Sequence, residues 1–173
     1  MRGKDRATAA LTAICVAAVA LSLQAGVAAW GAPFTIAVAD FDYVDTSGEA
    51  RDQSAEHKAR LVKFTELVRE NLSARGDYRV LSFECSEHPC TPINMHPDDF
   101  IAAARRSGAR FVVYGGIRKM STLVQWGDVE LLDLETEKLL LKRTVSFRGD
   151  NDEAFSRAAA FVGDTVTDAL AGR

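Results

Sequence analysis

The residues best suited to chemistry in this sequence are two cysteines, two histidines and a methionine between positions 85 and 96. Cys85 and Cys90 flank His88, and Met95 and His96 follow them. Thiolates, a thioether and imidazoles are the soft ligands that bind Cu(I), and sets of cysteine and histidine also bind Zn²⁺. In an oxidising compartment the two cysteines would instead pair with each other. The stretch therefore predicts a Cys85–Cys90 disulfide. The alternatives are a metal site that includes His88, Met95 and His96, and free or redox-active thiols.

A second group of candidate ligands is acidic. Asp40, Asp42, Asp45 and Glu49 follow an apolar run, and oxygen ligands in a flexible loop suit Ca²⁺. Their spacing lacks the glycine and the bidentate glutamate of an EF-hand loop. Alternatively, the first two acids end a strand, while Asp45 and Ser47 satisfy backbone groups in turns. We keep Asp40, Asp42 and Asp45 as candidate metal ligands beside this structural interpretation.

The sequence contains no set of residues at the spacing of a known catalytic triad or dyad. His57 is placed one residue off the apolar stripe of its predicted helix, which indicates a surface or capping histidine and not a general base. Gly115 and Gly116 lie inside a predicted strand and not between a strand and a helix. They therefore indicate a β-bulge or a close backbone approach and not a phosphate loop. These patterns predict a protein that is not an enzyme, and they imply no cofactor.

The elements that must position these residues follow from hydrophobic periodicity. Residues 110–147 contain three apolar runs separated by turn residues, which is typical of a three-stranded antiparallel meander. Shorter apolar runs over 34–41 and 78–83 predict two earlier strands. Apolar residues spaced by three and four predict helices over 54–75 and 151–169. Acids at the first end, arginines at the last and a closing glycine predict a short helix over 98–108. The predicted order is β-α-β-α-β-β-β-α. This is an α/β (α+β) fold in which helices pack on a mixed sheet, and the first two strands are parallel.

Residues 1–29 differ in kind from the rest. Arg2, Lys4 and Arg6 precede an apolar run over 11–23, and small residues at 27–29 form a cleavage site before Trp30. This pattern predicts a secretory signal peptide over 1–29 and a single domain over 30–173, exported to the periplasm. The apolar run is short for a membrane span, which takes about 20 residues. We therefore expect no membrane span after cleavage, and an uncleaved anchor is the alternative.

The charge of the chain bears on its partners. The 173 residues include 21 Lys and Arg against 24 Asp and Glu, a net charge of −3. Cleavage of the signal peptide would remove three basic residues and one acid and make the balance more negative. Without a basic excess to neutralise phosphates, the composition argues against nucleic-acid binding.

Two stretches of the predicted meander resemble the amino-terminal domain of the periplasmic TolB protein. Residues 108–117 match its glycine-alanine-acid-tyrosine-hydrophobic-glycine strand, and residues 133–138 match its Asp-x-x-Thr-Gly-Lys turn. In this chain Arg110 replaces the usual acid, and Glu137 replaces the usual turn glycine. The resemblance implies a TolB N-terminal-domain-like fold, similar to pieces of curli-secretion and outer-membrane lipoproteins.

The sequence over roughly 34–170 also resembles an exported proteobacterial family of unknown function, domain of unknown function 3280. The matching positions are Asp40-Phe41, Asp45-Thr46-Ser47, Arg60-Leu61, Gly115, Lys119-Met120-Ser121 and residues 148–152. The resemblance implies a fold and a compartment, and it implies no activity, substrate or catalytic residue. Its polar positions are candidate binding residues, namely Asp45, Ser47, Lys119, Arg148, Asp150 and Asp152.

Two functional hypotheses follow. The first is an exported, non-enzymatic domain that binds a protein partner in the cell envelope, which rests on analogy with envelope domains of the same fold. The second is a metal- or small-molecule-binding accessory protein to a periplasmic oxidoreductase. It would use the cysteine–histidine stretch or the acidic residues near position 45. The state of the two thiols distinguishes the two hypotheses.

Overall fold

A computed structural model describes residues 33–75, 78–81, 83, 85 and 89–172. The predicted signal peptide and His88 lie outside the described residues. The strands are β1 (Phe34–Asp45), β2 (Tyr78–Leu81), β3 (Phe111–Lys119), β4 (Val124–Asp133) and β5 (Lys138–Arg148), and the helices are α1 (Ser54–Arg75), α2 (Pro97–Arg106) and α3 (Asp152–Ala171). The predicted order of elements is confirmed. No helix within the described ranges has the length and apolarity needed to cross a bilayer.

The strands form one mixed sheet in the order β2-β1-β3-β4-β5. β1 is parallel to both β2 and β3, and β3, β4 and β5 form the predicted antiparallel meander. β1 is longer than predicted. We expected the strand to end at Phe41, where acidic residues follow the apolar run. It continues to Asp45 because a bulge after Val38 restores its pairing with β3, from Phe41 opposite Gly115 to Asp45 opposite Lys119.

One face of the sheet is covered by α1 and α3. Their apolar stripes and the facing strand residues form the larger core, in which aromatic rings from three elements meet edge to face. Phe64 of α1 lies 5.0 Å from Phe41 of β1 and 6.1 Å from Phe155 of α3 between ring centroids. These contacts fix both helices against the sheet, so residues at their amino ends lie near the carboxyl ends of β1 and β3.

The opposite face is covered in part by α2 and the loop before it. Phe100 of α2 packs on Phe83 and on Tyr114 of β3, with ring centroids 5.2 and 5.5 Å apart. The strand residues buried in this smaller core belong to the amino-terminal halves of β1 and β3. Among the described residues, no helix covers this face at the carboxyl-terminal halves of these strands or over much of β4 and β5.

Local hydrogen bonds set the ends of the helices. Asn151 accepts a hydrogen bond from the backbone N–H of Ala154 at 2.8 Å and so caps α3. At the start of α1, Ser54 is the first helical residue. Its N–H donates to Asp52 Oδ1 at 2.9 Å, and Gln53 accepts the first helical hydrogen bond from His57.

The β4–β5 turn explains the substitution at the TolB-like glycine position. Glu137 has a φ of 55°, the left-handed conformation that favours glycine. Its carboxylate lies 2.6 Å from the guanidinium of Arg105 in the last turn of α2. The glutamate therefore accepts an unfavourable backbone conformation and gains an ion pair that a glycine could not make.

Candidate functional site

The uncovered part of the sheet is a continuous surface across four strands. The uncovered face, as we use the term, consists of two cross-strand rows, Val44–Arg118–Trp126–Ser146 and Asp42–Gly116–Asp128–Thr144. Within each row the residues are direct register partners, so their side chains point to the same side of the sheet. A third row, Tyr114–Glu130–Lys142, separates this face from the part covered by α2.

A shallow groove of about 220 Å³ crosses the uncovered face. Gly116 forms its floor, and a Cβ atom at this position would lie 3.3 Å from the Cβ of Asp42. The glycine therefore keeps the groove open. Ile93, from the loop before α2, contributes to its wall and is 73% exposed. The prediction of a close backbone approach at the paired glycines is consistent with this geometry.

The ionisable groups of the groove are held by hydrogen bonds. Burial raises the pKa of Asp42, and a hydrogen bond from Thr91 partly offsets this rise. Burial alone would also raise the pKa of Glu130, but hydrogen bonds from Lys142 and Tyr114 outweigh it and lower the pKa. The pKa of Tyr114 is raised by burial and by Glu130, so it remains a neutral hydrogen-bond donor. None of these groups is arranged as an activated nucleophile.

Large apolar side chains stand on the same face. Trp126 of β4 is 47% exposed and Val44 of β1 is 41% exposed. Val44 and Ile93 line the groove, and Trp126 lies beside it in the row that contains Arg118. Partly exposed aromatic residues in such a setting are typical of protein interfaces. The face thus combines exposed apolar side chains with a groove whose lining includes three carboxylates, Asp42, Asp128 and Glu130.

At the carboxyl ends of β1 and β3, on the face covered by α1 and α3, lies a buried ion cluster. It consists of Asp45, Glu49, His57, Arg60, Lys119 and Asp150. Lys119 is fully buried at the centre. Its Nζ lies 2.7 Å from Asp150, 3.2 Å from the side-chain oxygen of Gln53 and 3.9 Å from Asp45, and it also pairs with Glu49.

The charged groups of the buried ion cluster set one another's pKa values. Burial alone would lower the pKa of Lys119, but hydrogen bonds to Asp150 and Glu49 outweigh it and raise the pKa. Burial would raise the pKa of Asp150, but Lys119 and His57 hold it below its ordinary value. Lys119 therefore stays protonated, and a protonated amine cannot act as a base or a nucleophile. The cluster links the β1–α1 loop and the β5–α3 turn to the sheet.

The structure brings together several of the six candidate binding residues. Lys119, Asp150 and Asp45 meet in the buried ion cluster, and Asp152 reaches its border through Arg60 at 3.3 Å. Ser47 lies in a turn beside the cluster, where its N–H and hydroxyl donate to Asp45 Oδ1 at 2.9 and 2.6 Å.

Arg148 lies apart from the other five. It is exposed at the end of β5 and lines a groove beside α3. The six positions therefore do not form one binding surface.

The predicted acidic metal ligands are not gathered into one group. Asp45 pairs with Lys119, and Asp42 lies in the groove on the opposite side of the sheet. Asp40 accepts a hydrogen bond from the backbone N–H of Cys90 at 2.9 Å. Among the residues that the structure describes, no group of three or more histidine, cysteine, aspartate or glutamate side chains has the geometry of a metal site.

The cysteine stretch contains the predicted disulfide. Cys85 and Cys90 are bonded, and Cys90 is fully buried in the smaller core. Met95 packs partly buried against the same core. His96 is largely exposed and lies 3.8 Å from Asp98. In the oxidised state the two sulfur atoms are thus committed to each other and not to a metal.

The prediction that His57 is a surface or capping histidine was wrong. It is 3% exposed, its ring lies 4.6 Å from that of Tyr43, and its Nε2 lies 3.0 Å from Asp150. A signal was present in the sequence, since His57 precedes Phe64 by two helical turns and shares the stripe that continues to Val68. Its nearest charged partner, Asp150, is distant in the sequence, and helix periodicity could not reveal that contact.

Comparisons with known proteins add a family and a fold. A family model described as a protein of unknown function, DUF3280 (DUF2380), matches residues 34–165. No curated protein matches the sequence.

Solved structures with the same fold include TolB from Acinetobacter baumannii, at a TM-score of 0.50 and 17% identity over 80% of this chain. The chain covers 28% of that TolB chain. The hypothetical protein CT253 from Chlamydia trachomatis is similar at a TM-score of 0.58 and 11% identity, over 82% of this chain and 100% of its own. At these identities the likeness shows the fold alone, and it confirms the predicted TolB-like architecture.

Proposed function

The chain belongs to the DUF3280 family, and from that premise we propose that it is an exported, non-enzymatic domain that binds a protein partner in the cell envelope. The observation that supports this proposal is the uncovered face. There Trp126 and Val44 are exposed beside a shallow groove whose lining includes Asp42, Asp128 and Glu130, and no helix among the described residues covers it.

Export is supported by two independent features. The first 29 residues have the charge pattern, apolar run and small-residue site of a signal peptide. The Cys85–Cys90 disulfide is the bonding state that an oxidising compartment maintains and that a reducing cytosol opposes. A periplasmic location accounts for both features.

A binding role fits the state of the ionisable groups better than catalysis does. The buried lysine of the ion cluster is neutralised by carboxylates and is shielded from solvent. The groups of the groove are fixed by mutual hydrogen bonds, such as the ion pair of Glu130 with Lys142 at 2.8 Å. A pocket with a poised base beside a nucleophile would be expected in an enzyme.

Site-directed photocrosslinking tests the proposal in the producing cells. Trp126 is replaced by a photoreactive phenylalanine analogue in the full-length chain, and Val62, which is 57% exposed on α1, is replaced in a matched control. We expect irradiation to give a discrete adduct with an envelope protein from position 126 and none from position 62. The adduct should weaken when the unlabelled protein is produced in excess in the same cells.

The same adducts from both positions, or none from position 126, would contradict the proposal. Circular dichroism of both labelled proteins checks that each substitution leaves the fold intact. Recovery of the protein in the periplasmic fraction, with the amino terminus at Trp30, tests the predicted export and cleavage.

A further inference from the structure

The outer strand of the meander has an unoccupied edge. β5 is the last strand of the sheet, and β4 pairs with it along one side. In the described part of the chain no strand pairs with its other side. Backbone N–H and C=O groups of alternate residues therefore point outward, which is the arrangement that accepts an added strand. From Leu141 to Arg148 the register with β4 is regular, so no bulge interrupts this edge over eight residues.

The charged residues of β5 are all basic. Its residues include four cations, Lys138, Lys142, Arg143 and Arg148, and no acid, in a chain whose net charge is −3. Lys142 is neutralised by Glu130. Across the described residues, no carboxylate lies within ion-pair distance of Arg143 or Arg148. The edge therefore has positive charge available to a ligand.

A groove runs beside this edge, between β5 and α3. It has a volume of about 430 Å³, and its apolar lining includes Val145, Phe147 and Phe161. Phe161 of α3 is 43% exposed, and the guanidinium of Arg143 lies 5.7 Å above its ring. Side chains of a strand added to β5 would extend into this groove on one side of the sheet, and toward the Ser146 end of the uncovered face on the other.

We propose that the β5 edge binds an extended acidic segment of a protein partner as a sixth strand of the sheet. The inference rests on the proposed function, since it assigns the mode and the charge of the partner that the exported domain binds. Backbone hydrogen bonds to β5 supply the affinity, and the unpaired arginines Arg143 and Arg148 select acidic side chains.

A second copy of the chain does not fit this edge. Pairing β5 with β5 would bring two strands with four cations each into register and place like charges near one another, which is destabilising. The acidic residues of β1 lie inside the sheet and cannot reach another molecule as a free strand. The occupant is therefore a separate acidic segment.

The test uses the exported protein with its disulfide intact and a defined probe. The probe is a blocked octapeptide of alternating pairs of glutamates and pairs of valines, so that glutamates face both sides of an added strand, as Arg143 and Arg148 do. It is titrated into isotope-labelled protein and followed by amide chemical shifts. We expect saturable shifts concentrated in β5, with few in β2 at the opposite edge of the sheet. The double substitution Arg143→Glu and Arg148→Glu should weaken binding by about tenfold or more. The double substitution Arg79→Glu and Arg106→Glu, at exposed positions of β2 and α2, is the matched charge control and should change the binding less than about twofold.

Two N-methylated versions of the peptide test strand addition itself. One carries methyl groups on odd-numbered amides and the other on even-numbered amides. A strand paired along one edge loses binding most in the version whose methyl groups face β5. Equal binding of both versions, or shifts absent from β5 at millimolar peptide, would overturn the inference, and so would a β5-mediated dimer in light scattering.

The outcome separates this inference from the proposed function. An adduct from position 126 together with no peptide binding at β5 would leave the protein-binding role standing and remove strand addition. Peptide binding at β5 without an adduct from position 126 would support strand addition and would remove the uncovered face as the binding surface.

Discussion

Lys119 Nζ lies 2.7 Å from Oδ2 of Asp150, and this contact joins the end of β3 to the turn that begins α3. Lys119 is fully buried, and Asp150 is nearly so, with 11% of its side chain exposed. A pair in this environment is worth little relative to two apolar residues, but removing one partner leaves the other charge buried. The contact is therefore a point where small changes should have large effects.

The first prediction concerns the loss of this lysine. Lys119→Met should lower the free energy of unfolding by about 2–3 kcal/mol, because Asp150 and Glu49 would lose a buried, charged hydrogen-bond donor. The loss is not larger because Arg60 and His57 still pair with Asp150. Lys142→Met is the matched control. It removes an ion pair with Glu130 in which the lysine side chain is 71% exposed, so it should cost less than about 1 kcal/mol. Denaturant unfolding of both variants measures the difference, and equal losses would show that burial of Lys119 has no energetic role.

The second prediction is a pH dependence of stability. The pKa of Asp150 is held below its ordinary value of 3.8, because hydrogen bonds from Lys119 and His57 outweigh burial. Its contribution to stability is therefore complete above pH 3.8 and is lost as the pH falls through the lower pKa of the folded state. Asp150→Asn should flatten the acid limb of the stability profile. Denaturant midpoints between pH 2 and pH 6 check this expectation, and a parallel shift of the whole profile would contradict it.

The larger architecture could be predicted from the sequence because it depends on local signals. Alternation and turn residues define the meander, and apolar stripes and helix-end signals define the three helices, so the order of elements follows. The far end of β1 was missed because its acids interrupt the apolar run, and only the pairing with Gly115–Lys119 in β3 shows that it is strand.

The ion cluster could be predicted only as separate motifs. Lys119 and Asp150 stood out in the family resemblance, but their contact depends on the register of three strands and on the placement of α1. His57 was assigned to the surface for the same reason, since its charged partner is far away in the sequence. The uncovered face likewise follows from the shortness of α2 relative to the sheet, which periodicity does not encode.

The third prediction contrasts the two adjacent glycines of β3. A Cβ at Gly115 would lie 1.9 Å from the carbonyl oxygen of Asp128, a backbone atom that cannot move aside without disturbing β4. Gly115→Ala should therefore cost about 3 kcal/mol or more through overpacking. At Gly116 the nearest atom would be 3.3 Å away, so Gly116→Ala should change stability by about 1 kcal/mol or less. Thermal unfolding of the pair checks the contrast, and similar melting temperatures would refute it.

The fourth prediction concerns the disulfide. The Cys85–Cys90 bond closes a small loop, with a sequence separation of 5, so its entropic contribution should be modest, about 2 kcal/mol. Reduction should lower the unfolding free energy by roughly that amount and leave the fold intact, because Cys90 is still buried in the smaller core. Unfolding with and without a reductant measures the effect. Complete unfolding on reduction would show that the bond is essential for folding.

The buried ion cluster also has a consequence for the time course of folding. Its members are distant in sequence, with Glu49 70 positions from Lys119 and Arg60 90 positions from Asp150. Contacts of this kind form only after several chain segments have closed into loops, so we expect them to be absent from the rate-limiting step. Lys119→Met should then shorten the lifetime of the native state and leave the refolding rate nearly unchanged. Stopped-flow measurements of unfolding and refolding would then show that the cluster forms after the rate-limiting step of folding.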